Sequence, residues 1–261
     1  GPPPHPPHQV KFMHWDESIR LLSAKAAARI APLDEAWVLS GMLPALFPKT
    51  LSADLKQRHG AVHMIAETLH GLCHASHGGV GGWMTPEMRK QIGEVVPAIE
   101  KARLYRGRGG EVMRAATARF LEVCALIRMP SGPKASLIKL ASIDDSAKHP
   151  TEAIADAAVA ALRAVSGAYF VPPAAGHTER LVLRYAKPLE TDPNAALRRG
   201  YALALGALPA YQLRQDLGEA SRVLLQATRM EADVEARDPE VRRCGIWMGG
   251  IWMGGIWMGG I

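Results

Sequence analysis

The chain has 261 residues, 48% of them hydrophobic and 21% charged, an ordinary globular composition with room for one sizeable domain or a run of repeats. Its formal charge of +6 comes from 31 Lys and Arg against 25 Asp and Glu, spread along the chain with no dense basic run, so an acidic partner is expected and nucleic acid is not. No stretch of about 18 apolar residues is present to span a bilayer, and Cys73, Cys124 and Cys244 form no CxxC pair or disulfide framework, which reads as a reduced, cytosolic protein.

Aromatic residues make up only 6%, so the core is expected to consist of alanine and branched aliphatics between helices. Residues 1–13 open with alternating proline and histidine and read as a disordered arm. The absence of an initiating methionine suggests a fragment. Asp16 then caps an alanine-rich helix that runs to about Ala31, where Pro32 stops it. The same design returns four times. Ser52–Leu55 leads into an amphipathic helix through Leu72, with Leu55, Val62, Ile65, Ala66, Leu69 and Leu72 on one face. Arg108–Glu111 opens a third copy, with Val112, Ala115, Ala116, Phe120 and Leu121 inward. A fourth runs from His149 to Val165 and a fifth from Asp192 to Leu208. In the fifth, Asp192 is expected to cap, Pro193 to sit in the first turn, and an arginine near the helix start, in the Arg198-Arg199 pair, to reach an acidic group in the adjacent repeat. Segments 34–46, 87–104, 133–143 and 177–189 supply the partner helices.

Arg20 and Arg58 lie 38 residues apart, and Ala157 and Gly200 lie 43 apart, at or near the roughly 40 to 47 residues of HEAT and armadillo repeats. The predicted fold is therefore an all-α solenoid of HEAT/armadillo-type helical repeats over residues 14–243. Residues 244–261 repeat the unit Gly-Ile-Trp-Met-Gly, which fits neither a helix nor a strand period. That tail reads as an unstructured, low-complexity product of a simple DNA repeat or frame error, with a membrane-seeking or self-associating tail as the alternative.

Several blocks then resemble, in order, the later part of the tubulin-folding cofactor D family. They are His14-Trp15-Asp16 with Ile19-Arg20, Thr50 to Leu55 with Arg58 to Ala61, Leu104 to Gly107 with Gly109-Gly110 and Met113-Arg114, Met129-Pro130, and Leu203 to Pro209. The resemblance implies a cytosolic chaperone associated with the microtubule cytoskeleton. Such a protein captures β-tubulin and assembles the αβ heterodimer with cofactors C and E and a small Arf-like GTPase. It also implies participation in stimulating GTP hydrolysis by tubulin, whose catalytic machinery lies in tubulin and the partner cofactors. The alternative is a generic HEAT adaptor for another acidic cytosolic protein.

No nucleophile–base constellation, Gly-x-Ser-x-Gly elbow or HExxH helix appears, so no catalytic residue and no cofactor is expected. His59 and His63, followed by His70, His74 and His77, could stack imidazoles on one helical face toward a metal, but they read as solvated helix and loop residues. Gly78–Gly82 and Gly107–Gly110 lack the Gly-Lys-Ser/Thr ending of a phosphate loop and read as a loop and a tight turn. Candidate partner contacts are polar positions on the second helices, Arg58, Arg114, Arg198 and Arg199, together with Arg106 and Arg108 beside the turn.

Overall fold

A computed structural model describes residues 11–76, 83–105, 109–170 and 180–228. The Pro/His arm up to residue 10, the Gly78–Gly82 stretch, Arg106, Arg108 and the 244–261 tail lie outside the described residues. The described residues are helices and connecting turns with no strand, so the fold class is all-α. They fall into two compact units, residues 1–131 and 132–261.

In the first unit, α1 (Glu17–Ile30) is capped by Asp16, whose carboxylate accepts from the amides of Ser18 and Ile19. The segment read as a helix over 34–46 is instead broken. It contains α-helical Glu35–Trp37, a π turn over Val38–Met42 and α-helical Leu43–Leu46, flanked by 3₁₀ turns at Ala31–Leu33 and Phe47–Leu51. Pro32, Pro44 and Pro48 explain the breaks, because each lacks the N–H that a continuous helix would use. Next come α2 (Leu55–Ala75), α3 (Pro86–Lys101) and α4 (Val112–Leu126). Helix α2 packs on α1 and on α4, which makes it the centre of the unit.

That position accounts for a departure from the sequence reading. An amphipathic α2 with one apolar face was expected, but every residue from Arg58 to Leu69 is buried. Helices on both flanks and the chain before α1 cover it. Phe12, placed by the sequence in a disordered arm, is buried at 3% exposure with its carbonyl against Gly60, so the ordered chain begins before residue 14. Farther along, a Cβ on Gly71 would lie 2.0 Å from the Ala28 carbonyl; only glycine admits this approach of α1.

The second unit contains α5 (Pro133–Ala147), α6 (Glu152–Tyr169), α7 (Leu181–Thr191) and α8 (Ala195–Ala207). Helices α5 and α6 pack as one pair and α7 and α8 as the next, with α8 also against α5 and α6. This is the pair-on-pair stacking of HEAT-type repeats, in which each pair buries a face it could not bury alone. Two helices that the sequence reading did not delimit follow, α9 (Ala210–Gln215) and α10 (Leu217–Thr228). The α10 helix covers α7.

Candidate protein-binding residues

The described arginines singled out in the sequence fall in both units. Arg58 is buried and Arg114 half-buried in the first unit, while Arg198 and Arg199 are half-buried in the second. Arg114 stacks over the Tyr105 ring at 5.3 Å, a cation–π contact.

Arg58 and Arg198 instead share a local geometry with Arg20. Each stands four residues after a capping side chain (Asp16, Asp54 or Asn194) that accepts from an amide in the first turn of the helix. Each turns its Nη1 back onto the two carbonyls before that cap. Arg20 donates to His14 at 2.8 Å and Trp15 at 2.9 Å. Arg58 donates to Ser52 at 2.6 Å and Ala53 at 3.4 Å. Arg198 donates to Asp192 at 2.9 Å and Pro193 at 3.1 Å. The bonds are charge-assisted and fix the angle at which the chain enters the helix. Arg198 thus clasps its own helix entry. Its cap is Asn194, two residues later than expected, with Asp192 bonded to the Asn194 amide at 2.9 Å in the preceding turn.

Ties between neighbouring helices come from Arg20, through its Nε, and from further arginines. In the first unit a polar seam runs from α1 along α2 to α4. Arg20 Nε donates to His59 Nδ1 at 3.2 Å, which leaves the proton of neutral His59 on Nε2, 3.4 Å from Glu17 Oε1 without hydrogen-bond alignment. The His59 and His63 rings lie 4.6 Å apart. One turn on, Glu67 accepts from Arg119 Nε at 2.7 Å and Nη2 at 3.2 Å, and Arg119 also pairs with Glu122. The histidines expected to be solvated are therefore core groups, with His59 fully buried and His63 7% exposed. Burial, helped by neighbouring positive charge, lowers the His59 pKa to about 2 and that of His63 to about 4, so both are neutral at pH 7. Burial alone would raise the Glu67 pKa, but its bonds to Arg119 outweigh it and hold the pKa low. Among the described residues no three His, Cys, Asp or Glu side chains group as metal ligands.

In the second unit Asp144 is the hub. Tyr185 Oη donates to its Oδ1 at 2.7 Å, and Arg184 Nε and Nη2 donate to Oδ2 at 3.0 and 2.8 Å. Burial outweighs these bonds and raises the Asp144 pKa. Arg180 pairs with Asp216, and Arg222 with Glu190 and Glu219. Sequence reasoning missed the ties between helices because their partners lie 32 to 52 residues apart, beyond any local spacing rule; of these ion pairs only Arg119–Glu122 and Arg222–Glu219 are local, at i,i+3.

No protein-family model matches the chain. A segment of 130 residues, 50% of the chain, is 23% identical to tubulin-specific chaperone D of Dictyostelium discoideum and spans 9% of that protein's length. Among solved structures, an engineered protein aligns over 93% of this chain and 95% of its own at TM-score 0.46 and 17% identity. A designed armadillo repeat protein aligns over 92% and 98% at TM-score 0.43 and 13% identity. The sequence relationship to the tubulin chaperone is thus distant and partial.

Proposed function

We propose that the chain is a non-enzymatic scaffold that binds β-tubulin and assists assembly of the αβ heterodimer. The observation that carries this reading is the similarity of half the chain to tubulin-specific chaperone D. The helical-pair architecture supports it, since stacked pairs offer extended surfaces to protein partners. In this reading the scaffold works in the cytoplasm at the microtubule cytoskeleton, beside cofactors C and E and a small Arf-like GTPase, and GTP is hydrolysed in tubulin. Arg114 and Arg199, with Arg106 and Arg108, are the proposed contacts that single alanine substitutions should test first. Arg58 and Arg198 are also candidates, but each holds a helix entry, so a loss of binding there must be separated from a loss of stability.

The test is capture of purified tubulin by the full chain, with a folded helical-repeat protein of similar charge as control and helicity followed by circular dichroism. Selective capture supports the proposal. A helical chain that takes tubulin no better than the control rejects it, and binding to other acidic proteins in preference to tubulin favours a general adaptor.

A further inference from the structure

The polar seam along α2 does not stop at the Glu67–Arg119 pair. His70 and His74 follow at i+3 and i+7 from Glu67, on the same side of the helix, and there that side comes out of the core. His63 and Glu67 are buried, His70 is half-buried and His74 exposed. The two histidine pairs on α2 thus share a spacing and differ in surroundings. His59 and His63 are closed in between helices, with Arg20 donating to one ring. His70 and His74 stand on the last turns of a regular helix that runs to Ala75, and neither makes a hydrogen bond or ion pair among the described residues.

Side chains at i and i+4 of a helix have Cβ atoms about 6 Å apart, a separation from which two imidazole nitrogens reach one ion at about 2 Å each. A neutral imidazole has a free lone pair on one ring nitrogen. The setting favours a cation in two further ways. The carbonyls of the last turn of α2 form the negative end of the helix, and the Glu67 carboxylate lies close enough for charge on His70 to act on it. Glu67 is bound through both oxygens to Arg119, so it is a neighbour of the pair and not a ligand, and Arg119 offsets part of its charge.

We propose that His70 and His74 form a two-nitrogen chelate for a divalent transition cation of the zinc and copper class, with water completing the coordination. The described residues bring no third ligand to the pair, so binding is reversible and looser than at a structural zinc site, and the ion clamps the last turn of α2 without building the fold. Nitrogen donors take copper more tightly than zinc, and both in preference to magnesium, which takes oxygen ligands.

The experiment is calorimetric titration of the full chain with Cu²⁺, Zn²⁺ and Mg²⁺. The chain has ten histidines, and single imidazoles bind cations weakly, so the chelate is identified by its variants. In the tightest step one ion should bind per chain, Cu²⁺ ahead of Zn²⁺ and Mg²⁺ not measurably. His70→Ala and His74→Ala should each weaken that step by about tenfold or more, and the double variant little further, because either loss already removes the chelate. His74→Ala/Ala75→His keeps ten histidines but sets the pair at i, i+5, on different sides of the helix, and should bind as weakly as His74→Ala. All three positions are exposed or half-buried, and unchanged helicity by circular dichroism shows that each variant folds. In hydrogen exchange, Zn²⁺ should slow the amides of the last turn of α2 in the parent chain only. Tight binding kept by either single variant or by the i, i+5 variant, no tight step in the parent chain, or Mg²⁺ bound as well as Zn²⁺ would each overturn the proposal.

Discussion

In the first unit two imidazoles, His59 and His63, lie buried between helices, and burial keeps them neutral. In the second the equivalent task falls to Asp144, a carboxylate held between Arg184 and Tyr185. Both arrangements link neighbouring helices, but they respond to protons in opposite directions. The folded imidazoles have pKa values below that of free histidine, so on acidification the unfolded chain takes up protons first and the first unit loses stability. Asp144 has a raised pKa, so its folded form takes up a proton more readily than its unfolded form and acid does not weaken the second unit through this group. Burial lowers one pKa and raises the other because in each case it disfavours the charged form.

The largest expected effect sharpens this contrast. The histidine contribution is complete above about pH 6.5 and falls as the pH drops through 4 toward 2, the folded values of His63 and His59. Between pH 7 and 5 the first unit should lose about 3–4 kcal/mol from the two groups together. Segment-resolved hydrogen exchange should show faster opening of α2 at pH 5 with α6 and α8 little changed. Equal acid loss in both units would break the comparison.

Gly71→Ala should come next. The added carbon has no room against the Ala28 carbonyl, and separating α1 from α2 should cost about 3 kcal/mol, measured as a lower midpoint in urea. Asp144→Asn tests the other unit. It removes the charge that faces Arg184 and should cost about 2 kcal/mol, confined to α5–α8 in exchange. The clasps can be ranked in the same way. Arg58→Ala, at a buried site, should lose about 2 kcal/mol, and Arg198→Ala, half-exposed, about 1 kcal/mol. Smallest of all is Arg222→Ala, whose partners Glu190 and Glu219 are all in exposed contact with it; its effect should fall within the scatter of denaturant curves.

The helices were legible where a cap, a breaker and an alanine–leucine run coincide, as at Asp16 with Pro32 or at Leu203–Pro209. The break within 34–46 was less so, because Pro44 sits among good helix formers and a π turn has no sequence signature of its own. His59 and His63 were misread as solvated. Hydropathy patterns assume a helix with a wet side, and α2 has almost none. For the arginines, the position of Arg58 and Arg198 near a helix start was visible, but spacing alone does not say whether so long a side chain turns across to a neighbour or back to its own entry. The exposed Leu22 and Leu33 drew no notice because the segment was read only as an alanine-rich helix between its cap and its proline stop.

The clasp has a consequence for how such chains can change. Its acceptors are backbone oxygens, contributed by His14 and Trp15, Ser52 and Ala53, or Asp192 and Pro193. Six different residue types serve, so the anchor places no demand on side-chain identity there. Connecting segments can drift in sequence and length while each second helix still starts at the same angle, provided that the cap and the arginine keep their four-residue interval. A chain built this way can carry loops of unequal size between its pairs, and foreign loops grafted before a cap should be accepted without resetting the helix that follows.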